Sequence, residues 1–472
     1  MRSNWLSAAI GGAAICLALA PAAMAGVYTV TSSESNSTIQ SVINGLQPGD
    51  TLDFAAGTYY DSFHLNCNGT STAGITIQGL GTAILDGQNG AVNVSGTGGP
   101  RALMQFEGSY ITVQNLTLQN AANSSGNGAG FRITGAGNDT ISGCSIQHNN
   151  MGIMSDDTGS GTLVNNVLVT GCNIGFNGSG TFPTSNGPSS GYTHNIYMGG
   201  SGSIALIGNY IHDATDGQNV KTRAHFVTLA YNWISSSNEG EVGMVDGYTS
   251  AANSNALIVG NTIVSKSNRT GNHAKYILFG SESGQEHNGT AYIYNNTCIA
   301  GMSQNVFVQV NPNTASDPTA AVVKNNIFYG STNLAASSPG SGTLTSGDIS
   351  GSNNWIKTGA AWPSLDSVLG NVVGSNPDFV NPSASNYQLL VGSACIDAGT
   401  SNLTYVDQNG NLESLSVLDS YLLSQGEIAR ALSGSAMDIG AYEFQQTPEP
   451  ATLTLLALGG LGLAAARRRR VR

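Results

Sequence analysis

Charge is scarce in this chain. Asp, Glu, Lys and Arg make up 9% of 472 residues, against about 25% in an ordinary soluble domain. That excludes a coiled coil, which needs charge every few residues. Basic residues are the scarcer sign, 16 against 28 acidic ones for a net charge of −12. No basic stripe exists to hold nucleic acid. Cysteine is also sparse. Besides Cys16 near the start, Cys67, Cys144, Cys172, Cys298 and Cys395 are odd in number and far apart, which is not a disulfide framework. One bridge, such as Cys144–Cys172, and buried free thiols are equally open readings. Zinc-type Cys spacing, a Gly-Lys-Ser/Thr phosphate loop and a Gly-x-Ser-x-Gly elbow are all missing.

Glycine is what the chain has in excess, 62 residues, about twice the usual share of ~7%. With 40% of the chain hydrophobic, it can still build a core. Many turns and little charge point to an all-β protein of short strands.

The two ends read as addresses. Residues 1–25 carry Arg2, an apolar run from Ile10 to Ala20 and the small-x-small site Ala23-Met24-Ala25, the pattern of a secretory signal peptide. At the other end, Pro448-Glu449-Pro450 precedes an apolar run, Ala451 to Ala466, and then Arg467 to Arg470. Sixteen apolar or small residues suit a transmembrane helix that is short for a span of ~20, with the arginines on the cytoplasmic side. The segment 447–472 resembles a PEP-CTERM sorting signal. The resemblance implies export across the inner membrane of a Gram-negative bacterium that makes exopolysaccharide. It also implies a transient C-terminal anchor, an extracellular or outer-surface destination, and exosortase-type machinery that removes the tail. Without the two ends the body keeps ten basic residues against 28 acidic ones, an acidic surface compatible with export.

The body repeats itself. Ile111-Thr-Val-Gln-Asn115-Leu-Thr-Leu118 returns around Cys144, Asn166, Asn209, Asn232, Asn261, Asn296 and Asn326. Most intervals lie between 22 and 35 residues, and the one of 43 accommodates a Gly/Ser/Pro-rich insertion at 177–193. Such a period predicts stacked coils, each with two or three short strands whose apolar side faces a shared core. Asn at the recurring turn suits a left-handed backbone and can bond along the stack. The pattern resembles the right-handed, single-stranded parallel β-helix proteins of the pectate-lyase-like group, over about 27–335, with Thr38 to Ile43 and Pro48 to Tyr59 as cap and first coil. We therefore expect a signal peptide at 1–25, a β-helix at 26–335, a finishing region at 336–446 and the sorting tail.

The finishing region carries Asn376-Pro-Asp378-Phe379, Ser393-Ala-Cys-Ile-Asp397-Ala-Gly399 and Asp438-Ile-Gly-Ala-Tyr-Glu443-Phe444. It resembles the C-terminal part of choice-of-anchor Q proteins. Asp397, Asp438 and Glu443 are expected to cap turns, and Leu415 to Leu432 to form a helix.

Because charge is rare, its placement is informative. Half of the body's cations (Lys221, Arg223, Lys266, Arg269, Lys275) and most of its histidines (His194, His212, His225, His273, His287) fall within 194–287. If Val220, Thr222, Ala224 and Phe226 face the core, Lys221, Arg223 and His225 point outward. Tyr197 lies 26 residues before Arg223, about one coil, and is expected to stack on it with Asn195 beside it on the outer face. The next coils offer Glu241 and Asp246, then Lys275 and Tyr276. His194-Asn195-Ile-Tyr197 followed by Lys221-Thr-Arg223 resembles uncharacterised secreted β-helix proteins grouped with polysaccharide lyases. Gln218 stands where those have His.

β-Elimination on a uronate polymer needs a carboxylate neutralised, a base for the C5 proton and an acid for the leaving oxygen. Arg clamps carboxylates in bidentate fashion. Lys beside Arg has a lowered pKa and can serve as base, and Tyr or His can move the proton. Lys221, Arg223, Tyr197 and His194 are the candidate catalytic residues, with Asn195, His225, Glu241 and Lys275 as candidate binders of an acidic polysaccharide. A hydrolase would need a carboxylate pair, for which Asp156-Asp157, Asp213/Asp216 and Glu239/Glu241 are available. Such acids also suit Ca²⁺, although no twelve-residue calcium loop and no other cofactor motif is present. The third reading is a monomeric exopolysaccharide-binding or adhesive protein without turnover.

Overall fold

The computed structural model describes residues 25–135, 137–155, 165–178, 191–200, 202–245, 252–267, 275–282, 287–302, 305–314, 317–336, 348–363 and 366–445. Residues 1–24 of the expected signal peptide, most of the insertion at 177–193, Asp156-Asp157, Asp246, Arg269, His273 and the sorting tail lie outside them.

Three parallel sheets wind around one core as a right-handed β-helix. Sheet A has 13 strands, from Val27–Val30 to Ser367–Leu369. Sheet B has 12, from Gly57–Tyr59 to Val372–Gly374, and sheet C has 10, from Phe63–Leu65 to Asn333–Ala336. Sheets A and B thus run on past residue 335, the expected junction. Strands are short because each keeps one apolar column inward. Val227 and Leu229 of sheet A, Ile234 of sheet B and Val220 of sheet C meet in one core cluster. The helix Asn36–Gly45 closes the N-terminal end with Ile39 and Ile43, and Ser35 Oγ accepts from the Thr38 N–H to cap it.

The recurring Asn has one role where two were expected. Asn209, Asn232, Asn261, Asn296, Asn326 and Asn354 form a buried ladder at the corner between sheets A and B. Asn232 Oδ1 accepts from Asn209 N and Nδ2 at 2.9 and 3.0 Å, and its Nδ2 donates to Leu206 O and Ala230 O. The left-handed backbone falls one residue earlier, at Gly208, Tyr231, Gly260 and Asn295. Asn115 occupies that left-handed position, so it is one place out of register with the ladder.

The C-terminal segment is a clamp. Three antiparallel hairpins, Phe379–Asn381 with Asn386–Leu389, Thr404–Val406 with Leu412–Ser414, and Asp419–Leu422 with Gly426–Ala429, lie on the outsides of sheets A and B. The helix expected over 415–432 is instead the third hairpin and its flanks. Its apolar residues serve different neighbours. Val417 packs with Leu257 and Tyr294 outside sheet A, and Tyr421 with Trp233 outside sheet B. Gly426, at φ 80°, ends the tight turn between the strands Asp419–Leu422 and Gly426–Ala429. Asp397, Asp438 and Glu443 do hold turns: Asp397 Oδ1 accepts from Ser435 and Ala436, Asp438 from Asp397 and Phe444, and Glu443 from Ser433 and Asp438. Glu443 also pairs with buried Arg430 at 3.0 Å.

Candidate functional site

The outer face of sheet C holds Tyr197 and Lys221 of the candidate set. Its outward column runs His64, Gln105, Arg132, Met154, Tyr197, Lys221, Gly243, Leu278 and Gln309 in register. The strands that matter are Ile196–Met198, Val220–Thr222, Val242–Val245 and Lys275–Gly280.

Tyr197 pairs with Lys221, not with Arg223. The coil is 24 residues here, two shorter than the expected match, so Arg223 lies beyond the strand. Its N–H donates to Met198 O at 2.8 Å. Val220, Thr222 and Ala224 are buried as expected, but Phe226 is not inward. The corner at 223–225 shifts the alternation, and Phe226 opens a sheet A strand on its outer side, 6.4 Å from the Tyr405 ring. His225 stands at that corner, half-buried.

His194 is buried and stacks on Tyr197, with ring centroids 5.7 Å apart. Its Nδ1 accepts the Gln218 N–H at 3.0 Å, which leaves the proton on Nε2. Burial, then the Lys221 charge, hold its pKa well below the usual imidazole value. His194 is a neutral donor.

Lys221 Nζ forms an ion pair with Glu282 Oε2 at 2.5 Å. The lysine reaches past Gly243, where a Cβ would come within 2.6 Å of Gln218 Oε1. Gln218 is itself buried, and its Oε1 has no hydrogen-bond partner among the described residues. Lys275 and Glu239 share this field. Burial first lowers the Lys275 pKa, with Glu282 and Glu239 opposing and Lys221 adding to the shift. Burial first pushes the Glu239 carboxyl up to about 7, against the attraction of Lys221 and with the repulsion of Asp216 and Glu282.

Two expected binders are not on this face. Asn195 and Glu241 are wholly buried in a second ladder, at a corner that leads into sheet C. Asn195 Oδ1 accepts from Asn177, its Nδ2 donates to Asn219 Oδ1, and Asn219 Nδ2 donates to Glu241 Oε2 at 2.7 Å. A residue just before a strand turns its side chain into the corner, so the strict alternation that put Asn195 outside fails there. Glu282, in turn, was missed. It follows the strand Lys275–Gly280 two coils after Lys221, a separation that no single-coil pattern links. Glu239 was visible only as half of a hydrolase pair with Glu241, and that pair is broken by the burial of Glu241.

The hydrolase candidates Asp213 and Asp216 are also occupied. Asp213 bonds His212 Nδ1 at 2.7 Å outside sheet B, while Asp216 is buried and accepts from Thr193 and Gly191. Among the described residues, no three His, Cys, Asp or Glu side chains gather as a metal site. Nor is any helix among them long and apolar enough to cross a membrane. The apolar run 451–466 lies outside them.

Comparison with known proteins agrees on fold and tail. Residues 446–470 match the PEP-CTERM protein-sorting motif, which marks the chain for export and C-terminal anchoring at the cell surface. No curated protein matches the chain. The fold is similar to pectate lyase Pel9A, at TM-score 0.56 and 15% identity over 89% of this chain and 96% of that one. It is also similar to a rhamnogalacturonan lyase, at TM-score 0.50 and 14% identity over 75% and 90%. At these identities the likeness is one of fold.

Proposed function

We propose that the chain is a surface-sorted polysaccharide lyase acting by β-elimination on an acidic polysaccharide along the outer face of sheet C. The observation that carries this is the gathering of Lys221, Lys275, Glu239 and Glu282 there, on the face the C-terminal clamp leaves bare. The roles differ from those the sequence suggested. Lys221 is paired with Glu282 and would exchange that partner for a uronate carboxylate, with Arg223 as a planar second donor. Lys275, its pKa lowered by burial, is the better base for the C5 proton. Glu239, its carboxyl pushed up to about 7, would return a proton to the leaving oxygen, with Tyr197 and the His194 Nε2–H as further donors on this face. Gln218 Oε1 would accept from a sugar hydroxyl.

The raised Glu239 pKa also favours a second reading, hydrolysis with Glu239 as general acid. The tail would be processed by exosortase-type machinery, and the body would act as a monomer. The test is incubation with pectate, alginate and glucuronan, with and without Ca²⁺. Elimination yields an unsaturated, ultraviolet-absorbing product one water lighter than a hydrolysis product. Products of ordinary mass would move the assignment to the hydrolase. Binding to these glycans without any product would make the chain a scaffold.

A further inference from the structure

We propose that Cys144 and Cys172 become a disulfide that staples two adjacent coils when the chain is exported. The five described cysteines are all buried thiols in the structure, but only these two are neighbours in one column. Ser145 pairs with Asn173 and Ile146 with Ile174, which sets Cys144 directly beside Cys172 at the inter-strand spacing of ~4.8 Å. That lies inside the Cα separation of roughly 4.4–6.8 Å that a disulfide spans. The Cys144 N–H donates to Cys172 Sγ at 3.4 Å, so the second sulfur already leans over the first residue.

Their place in the fold makes the pair unusual. The column continues as the Asn ladder, because Cys172 N donates to Asn209 Oδ1 at 3.0 Å and Asn209 N to Asn232 Oδ1. The thiols imitate the amides. Cys172 Sγ faces the carbonyls of Ile141 and Thr170, as Asn232 Nδ2 faces those of Leu206 and Ala230. Sulfur is a poor substitute, a weak donor and a weak acceptor. One Cys would be a worse Asn, whereas two in succession in the same column add a bond that no Asn pair can form. The next step of the ladder spans 37 residues against 28 for the Cys pair. The staple therefore holds the last two corners of the column before the insertion at 177–193 in the sequence.

The chemistry needs a disulfide donor, either a protein or a small-molecule disulfide of the export compartment. A Cys144 thiolate attacks the donor's disulfide and releases one donor thiol. The Cys172 thiolate then displaces the second donor thiol and closes the Cys144–Cys172 bond. Two electrons pass to the donor sulfurs, and the two cysteine protons end on the two donor thiols. Since both sulfurs are buried in the finished stack, the exchange precedes coil closure.

The test is alkylation and peptide mapping of the full chain, exported through its own leader from a Gram-negative host and denatured without reductant. The expected result is three alkylated body cysteines, Cys67, Cys298 and Cys395, with the peptides of Cys144 and Cys172 linked and the protein two hydrogen atoms lighter than after reduction. Five alkylated body cysteines, or a link between any other pair, would overturn the proposal. A thermal melt gives a second readout. Reductant should lower the melting temperature of the wild type and leave that of Cys144→Ser unmoved, whereas an equal response in both would count against the staple.

Discussion

Lys221 and Trp233 sit twelve residues apart in one coil, and their surroundings could hardly differ. Both point away from the shared core. Trp233, outside sheet B, is covered by the clamp and lies 5.7 Å from the Tyr387 ring. Lys221, outside sheet C, keeps contact with water and holds Glu282. In a β-helix the inward columns specify the solenoid, and the outward columns specify what each face is for. Where outward residues are apolar, as at Trp233, Ile327 and Trp355, a second layer of the same chain buries them. Lys221 is outside those apolar clusters and pairs with Glu282 instead.

The comparison can be broken at its strongest point. Trp233→Ala should cost about 3–5 kcal/mol, the usual range for a buried large aromatic, read by chemical denaturation, while the folded fraction keeps its activity. Lys221→Ala and Lys275→Met should do the reverse. Turnover should fall on the order of 10²-fold or more, with a stability loss well below that of Trp233→Ala, because both lysines are only partly buried. A large loss of stability in the lysine variants would make sheet C another structural face.

Two pH experiments sharpen the contrast. Glu239 must be protonated to donate, so the rate should fall as pH rises through about 7. Glu239→Gln should be slower and lose that limb. The smallest effect belongs to Asp139, a core-facing carboxyl with no catalytic part. Its Oδ1 accepts from Ile111 at 3.0 Å, and burial pushes its pKa up to about 7. The folded state therefore binds this proton more tightly than the unfolded state. Its contribution is full below the ordinary carboxylate pKa and is lost as pH rises to about 7. In melts across that window Asp139→Asn should flatten the decline and leave the rate profile unchanged.

The solenoid was legible because its signal is long-range and repetitive. A corner Asn in coil after coil from Asn209 to Asn354 and an inward apolar residue at every other strand position persist through coils of different length. What was not legible lies at the corners and in the second layer. Alternation holds along a strand but resets at a corner, so Asn195 turned inward and Phe226 outward. Coil length varies, so Tyr197 met Lys221 instead of Arg223. The Leu415–Leu432 stretch has helical spacing, yet its apolar residues are shared between two sheet exteriors, which only the tertiary structure reveals. Glu282 reaches Lys221 across two coils, beyond any local pattern.

The most direct measurement is ultraviolet absorbance during incubation with a uronate polymer, run in parallel for the wild type, Lys275→Met and a control, Phe226→Ala, on the sheet A exterior. Unsaturated product is expected at the wild-type rate from Phe226→Ala, and at about a hundredth of that rate or less from Lys275→Met. Product from Lys275→Met at the wild-type rate, or a loss confined to Phe226→Ala, would contradict the assignment of function to sheet C.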